Sequence, residues 1–195
     1  MVIEELFPVP VLIHQIESKL ADKIENLIVP RLSYLKNSVG TEKFEVDTDF
    51  FEKQSIVSPE EIDPLLEEIH KCKDVYEEKT GCQKSVMEDF WVQNYKSGQF
   101  HDIHNHGRVE ISGVYWVRAD NSPGKFEIFS PNPYLSVFGG NLKRLTKYSA
   151  YRQTITPKKG GLILFPGYLD HRVLEGGPNS NRTAIAFNFK PEFYK

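Results

Sequence analysis

A chain of 195 residues is long enough for one domain and short for two. Apolar residues make up 39% of it and aromatics 12%, so a core burying on the order of 70% of the unfolded surface is within reach without disulfide staples, which argues against intrinsic disorder. A net charge of -3 argues against a strongly basic nucleic-acid surface, and two cysteines, Cys72 and Cys82, read as free thiols, are too few for a disulfide scaffold or a four-cysteine zinc site.

The longest apolar runs, such as 9–13, fall far short of the roughly 20 residues that span a membrane. No basic segment followed by an apolar one opens the chain. The expectation is a soluble, cytoplasmic, single domain over 1–195. Its residues 1–82 form an N-terminal strand and helices, and its residues 83–195 form the β core. In chain order, 6–16 reads as an extended strand and 18–28 as a helix, which Pro30 breaks before a second piece running to 35. Ser58-Pro59-Glu60-Glu61 carries an N-cap, an N1 proline and a capping-box glutamate. Apolar residues then recur at helical spacing up to Gly81, a C-terminal stop. The helices are expected to pack outside the sheet and cover an edge, a face that also leaves room for a homodimer contact.

From Ser85 onward the pattern changes to short runs of Val, Ile, Phe, Tyr and Trp between Gly, Pro and Asn turns. Strands are predicted near 87–95, 99–106, 109–119, 125–129, 149–155, 161–165, 169–174 and 181–190. Eight short strands without intervening helices predict a sandwich, jelly roll or barrel. The longest patternless stretch, 130–150, carries Tyr134, Phe138, Lys143, Arg144, Lys147 and Tyr148. It reads either as a basic, aromatic lid for an anionic or peptide substrate or as a solvated excursion.

Three of six histidines cluster: His101, His104 and His106. Strand alternation puts His104 and His106 on one face and His101 on the other. Two imidazoles so spaced can share one metal ion, and neutral imidazole suits Zn, Fe, Cu and Ni. His171, in a strand–turn–strand pattern, is the candidate third ligand. The competing reading is three ordinary hydrogen-bonded histidines; His14 and His70 are read as structural. Arg182 follows His171 by eleven residues and opens the run Arg182-Thr183-Ala184-Ile185-Ala186-Phe187-Asn188-Phe189. Alternation gives Arg182, Ala184, Ala186 and Asn188 one face, and Thr183, Ile185, Phe187 and Phe189 the other. The small neighbours leave space beside the guanidinium. Its planar fork matches a carboxylate, either from a ligand or from an internal Asp or Glu. With His171 read as lying on the adjoining strand, a ligand is preferred.

Together these segments resemble the Fe(II)/2-oxoglutarate-dependent oxygenases, on the prolyl-hydroxylase-like side, over about 91–189. The resemblance is carried by Tyr95-Lys96-Ser97-Gly98-Gln99-Phe100 leading to His104 and by Ser112-Gly113-Val114-Tyr115-Trp116-Val117. It is carried also by Gly124-Lys125-Phe126-Glu127-Ile128-Phe129, by 157–166 with His171, and by Arg182-Thr183-Ala184. It implies a mainly β, double-stranded β-helix (jelly-roll, cupin-like) fold with N-terminal helices outside. It implies Fe(II) on His104, His106 and His171, and 2-oxoglutarate as cosubstrate with its far carboxylate on Arg182. Tyr95, Ser112, Trp116 and Asn188 would be helpers, and the oxidised partner a small molecule or peptide. One position departs from the family's His-x-Asp or His-x-Glu: His106 stands where the carboxylate is expected, with Asp102 placed to orient a ligand histidine. A cupin pattern partly fits as well, with Glu110 as a fourth ligand and isomerase or 2-oxoglutarate-independent dioxygenase activity. A non-catalytic binding module on the same fold is the third reading.

Overall fold

The computed structural model describes residues 8–37, 44–120, 122–135 and 142–193. Strand β1 spans Leu12–Gln15, shorter than expected at its start because Pro8 and Pro10 have no amide proton to give a ladder. Helix α1, Ser18–Ile28, runs into a 3-10 turn over Val29–Tyr34, with Pro30 at its start as the sequence predicts. Three two-residue strands follow: β2 (Lys36–Asn37), β3 (Phe44–Glu45) and β4 (Asp47–Thr48). They are too short to show an alternation, and the sequence does not reveal them. Ser58 and Glu61 close their capping box on a 3-10 turn, Pro59–Glu61. A second proline, Pro64, then opens helix α2, Asp63–Thr80, so the one expected helix is two pieces. Gly81 ends α2 with φ +73°, a conformation only glycine adopts without strain.

The eight strands predicted beyond Ser85 are present: β5 (Ser85–Lys96), β6 (Phe100–His104), β7 (Ile111–Asp120) and β8 (Phe126–Phe129), then β9 (Arg152–Ile155), β10 (Gly161–Pro166), β11 (His171–Val173) and β12 (Asn181–Pro191). They form two antiparallel sheets, one in the order β1-β10-β7-β12-β5-β4-β2 and one in the order β3-β6-β11-β8-β9. The short N-terminal strands lie at the sheet edges: β1 at one end of the larger sheet, β4 and β2 at its other end, and β3 beside β6.

The helices cover a face of the larger sheet and not, as expected, its edge. Ile24 and Ile28 of α1, and Leu65, Ile69 and Tyr76 of α2, share a buried cluster with Val92, Tyr115, Leu162, Ile185 and Phe187 of the strands. The opposite face of that sheet looks onto the smaller one. There Tyr95, Trp116, Phe165 and Ala184 pack with Phe126, Ile128 and Val173. The result is a jelly-roll sandwich with helices on one outer face, and the space between the sheets holds the site described below.

Gly113 explains part of the motif around it. A Cβ there would lie 2.2 Å from Cε2 of the fully buried Phe187 ring and 2.8 Å from Cδ2 of Leu164. The Gly113→Ala variant is expected to be destabilised by about 1–3 kcal/mol, the cost of overpacking a tight core. Denaturant unfolding measures this, and an unchanged midpoint would show that the helix-facing core can yield.

Candidate active site between the sheets

A cavity of about 370 Å³ opens between the two sheets. Strand β12 supplies one wall through Arg182, Ala184, Ala186 and Asn188, while Ile185, Phe187 and Phe189 point into the helix-side core. The alternation read from the sequence therefore holds along this strand. Strand β5 supplies a second row with the same period: Asp89, Trp91, Gln93 and Tyr95. Of these, only Tyr95 stands out from the sequence. Its parity, carried back along β5, is the signal that finds the other three. Phe50 and Phe51 also line the cavity. They lie outside any strand pattern, and Phe50 meets both Phe51 and Trp91 edge-to-face at about 5 Å.

At one end of the cavity His104, His106 and His171 converge, with one ring nitrogen from each within 4.8 Å of the others. His104 ends β6 and faces His171 directly across the ladder. His106 lies past the end of the strand in the turn that follows. Its backbone N–H donates to the Gly167 carbonyl at 2.9 Å, which ties that turn to the corner before β11.

The parity argument that put His101 on the opposite face fails. His104 pairs with His171, but His101 pairs with Val173, so three residues of β6 span two of β11 and the bulge turns His101 inward. It lines the same cavity and stacks on His104 at 3.7 Å. It does not belong to the cluster of converging ring nitrogens.

The other ring nitrogen of each converging histidine is occupied. Nδ1–H of His104 donates to the Asp102 backbone carbonyl at 2.7 Å, and that of His171 to the Leu169 carbonyl at 2.9 Å. Nδ1–H of His106 donates to Oδ1 of Asn188 at 2.6 Å. Acceptors of this kind fix the tautomer with the proton on Nδ1, so the lone pair of each ring sits on Nε2. Burial holds the rings neutral: it pushes His104 down to about 4 and His101 to about 3, lowers His106, and takes His171 well below the usual range. Three neutral imidazoles with free lone pairs at one point form a competent donor set for a divalent transition metal.

Several expectations are corrected here. The Asp102 group that orients His104 is its backbone carbonyl, while its carboxylate accepts from the Ile103 amide. Ser112, expected beside the cosubstrate, places its hydroxyl 2.8 Å from Nδ1 of His106 and donates to Asn188 Oδ1 at 3.0 Å. Asn188 lines the cavity but holds His106 and stands away from Arg182's end of the strand. Glu110, the extra ligand of a cupin site, interacts with Cys82 and Tyr76 and does not line the cavity. Among the described residues of 130–150, none lines the cavity, and Phe138 lies outside the described residues.

Arg182 lies toward the other end of the β12 row. Strands β11 and β12 belong to different sheets, so His171 and Arg182 face one cavity from opposite walls and are not on adjoining strands as read from the sequence. Arg182 is 2% exposed, with its guanidinium carbon 4.2 Å from the centre of the Tyr95 ring. Nη1 donates to the Gly124 carbonyl at 2.6 Å; Nε and Nη2 have no partner. Burial lowers its pKa only to about 10, so it stays charged at neutral pH. A buried cation with two idle donors beside Ala184 fits a bound anion. Trp116 lines the cavity nearby and packs edge-to-face on Phe126.

Residues 89–188, half of the chain, match the family described as "Putative 2OG-Fe(II) oxygenase". No curated protein matches the sequence. Solved structures with the same fold include a prolyl-4-hydroxylase from Pseudomonas putida (TM-score 0.66, 14% identity, covering 94% of each chain). A viral collagen prolyl hydroxylase of Paramecium Bursaria Chlorella virus-1, solved as a 2OG complex, aligns with a TM-score of 0.59 at 16% identity over 91% of this chain and 96% of its own. HygX of Streptomyces hygroscopicus, solved with nickel and 2-oxoglutarate bound, aligns with a TM-score of 0.61 at 11% identity over 96% and 85%. At these identities the likeness is one of fold.

Proposed function

The chain belongs to the 2OG-Fe(II) oxygenase family, and on that premise we propose that His104, His106 and His171 hold Fe(II) while Arg182 binds the far carboxylate of 2-oxoglutarate. The activity is that of a non-haem iron, 2-oxoglutarate-dependent dioxygenase acting on an unidentified substrate. One observation carries the residue assignment. A single cavity has three neutral imidazoles at one end, and a buried arginine with two unpartnered donors on its opposite wall.

Fe(II) and 2-oxoglutarate, when bound, supply the coupling of dioxygen activation to decarboxylation of the cosubstrate. The residues of the chain do the rest. His104 and His171 are held by backbone carbonyls, so their Nε2 lone pairs keep one direction. Arg182 would seat the far carboxylate of the cosubstrate on Nε and Nη2, beside the small Ala184 and Ala186 of the same wall. Tyr95 lies against the guanidinium face and bonds Gln93 through its hydroxyl at 3.1 Å, which leaves the edge of the arginine as its open side. Trp116, Val114, Phe126 and Val173 make the remaining wall apolar and keep water from the reacting end. The mouth, with Phe50 and Phe51 half exposed or more, admits a small molecule or a peptide segment.

No helix among the described residues is long and apolar enough to cross a membrane. Cys72 and Cys82 are both free thiols, which supports a reducing, cytoplasmic setting.

The direct test is calorimetric: 2-oxoglutarate titrated anaerobically into Fe(II)-loaded protein, with iron-free protein as control. Metal-dependent binding, with succinate formed once air is admitted, is the expected result. No binding in either form would leave Arg182 with a purely internal role and favour a binding module on this fold.

A further inference from the structure

Asp89 and Asn188 are cross-strand partners in β5 and β12, at the last pair before the ladder shifts register. The Asn188 amide has two heads, a carbonyl and an N–H pair. The Asp89 carboxylate lies opposite it across the pair and lines the same cavity, and since a carboxylate can only accept, Nδ2 is the head available to it. Oδ1 of Asn188 receives Nδ1–H of His106 at 2.6 Å and the Ser112 hydroxyl at 3.0 Å. A carboxylate, an amide and an imidazole thus follow one another along the cavity wall, with Ser112 bracing the amide from the side. His104 and His171 have neutral backbone carbonyls in the same role. The chain therefore treats His106 differently from the other two converging rings.

The difference has an electrostatic reason. Three neutral imidazoles bring no negative charge to a divalent cation, and Arg182 adds a positive one to the same cavity. Among the described residues lining that cavity, Asp89 is the one carboxylate. We infer that Asp89 is a positioning residue for His106, acting through Asn188, and that it supplies from one residue further out the negative charge that the three ligand rings lack. The inference rests on the metal reading above. A carboxylate bonded to the Asn188 N–H sharpens the acceptor strength of its carbonyl. That carbonyl pins the His106 proton on Nδ1 and raises the donor strength of Nε2.

The test uses the full-length protein with Co(II) as a spectroscopic stand-in for Fe(II), its affinity measured by chelator competition. Asp89→Asn is expected to weaken Co(II) binding by about tenfold, within the tenfold to hundredfold range for lost outer partners of a metal site, and Asp89→Glu to stay within about threefold of the parent. In a His106→Asp background, where no imidazole N–H is left to hold, the Asp89→Asn effect is expected to shrink below about twofold. An equal loss in both backgrounds would mean that Asp89 only steadies the strand pair, and would overturn the inference. A second readout does not depend on the double variant. In the Co(II) protein, Asp89→Asn should move the shifted Nδ1–H resonance of His106 and leave those of His104 and His171 in place; three unmoved resonances would also overturn it. The His171→Ala variant separates this outcome from failure of the metal reading. If His171→Ala abolishes Co(II) binding and Asp89→Asn leaves it unchanged, only the relay is wrong. If neither variant affects binding, the metal assignment itself falls.

Discussion

Replacing Arg182 with leucine is expected to abolish measurable 2-oxoglutarate binding and to leave metal affinity within about threefold of the parent. The size of the effect follows from what the guanidinium has to offer. Nη1 is committed to the Gly124 carbonyl, and Nε and Nη2 remain for a bidentate pair with a carboxylate. Hydrogen bonds to charged groups contribute about 1.5–3 kcal/mol each, so losing two weakens binding by roughly two to four orders of magnitude. Burial at 2% exposure places the pair away from solvent screening. Stability gives the second half of the test. An arginine paired internally would cost about 3–5 kcal/mol on removal, since its partner would be stranded. Arg182 has no acidic partner among the described residues, so its buried charge is left unneutralised by them. The leucine variant without cosubstrate is therefore expected to melt at or above the parent temperature. A variant that melts well below it while still binding 2-oxoglutarate would reassign the arginine to the scaffold. Lysine at the same position keeps the charge but loses the planar fork, so partial recovery of affinity is expected.

The wall built by β12 was legible because a central strand buried on both faces has nowhere to hide its alternation. Small residues beside Arg182 marked the cavity side, and bulky ones marked the core. The same period on β5 was present in the sequence, but without a functional residue beyond Tyr95 to anchor it, Asp89, Trp91 and Gln93 read as ordinary strand positions. His101 shows where parity reasoning stops. A bulge is a property of two strands together, and nothing in the run Phe100–His104 announces that β11 will answer three residues with two. The placement of Arg182 against His171 was unreadable for a related reason. Spacing along the chain says that two strands are close in sequence, and here the successive strands β11 and β12 go to different sheets. Phe50 and Phe51 reach the cavity from a segment whose strands are two residues long, below the length at which any period can be seen. The helices were found because capping boxes and prolines act locally, whereas which surface they cover depends on how the whole sheet twists beneath them.

Removing His171 tests the metal centre at its most constrained point. The residue is 3% exposed and lies in the middle of the smaller sheet, paired with His104 on one side and Ile128 on the other. Its ring is walled by Phe165 at 4.9 Å and Phe126 at 5.4 Å, and its Nδ1–H is fixed on the Leu169 carbonyl. It can present Nε2 in one direction only. His104 and His106, at a strand end and in a turn, are less confined. In His171→Ala the two remaining imidazoles keep their supports, but the donor set loses its third corner. The expected fall in Fe(II) or Co(II) affinity exceeds 100-fold, beyond the range of about tenfold to hundredfold that a supporting partner is worth. The fold should survive, because the deletion leaves a pocket among aromatic rings at a cost of about 1–3 kcal/mol and strands one carbonyl beside a space large enough for water. That same space makes a rescue available: free imidazole added to the variant can occupy the vacated volume and offer the missing nitrogen. Restored metal binding on adding imidazole would show that the ring acts as a ligand. Full metal affinity without it would show that the metal is held elsewhere.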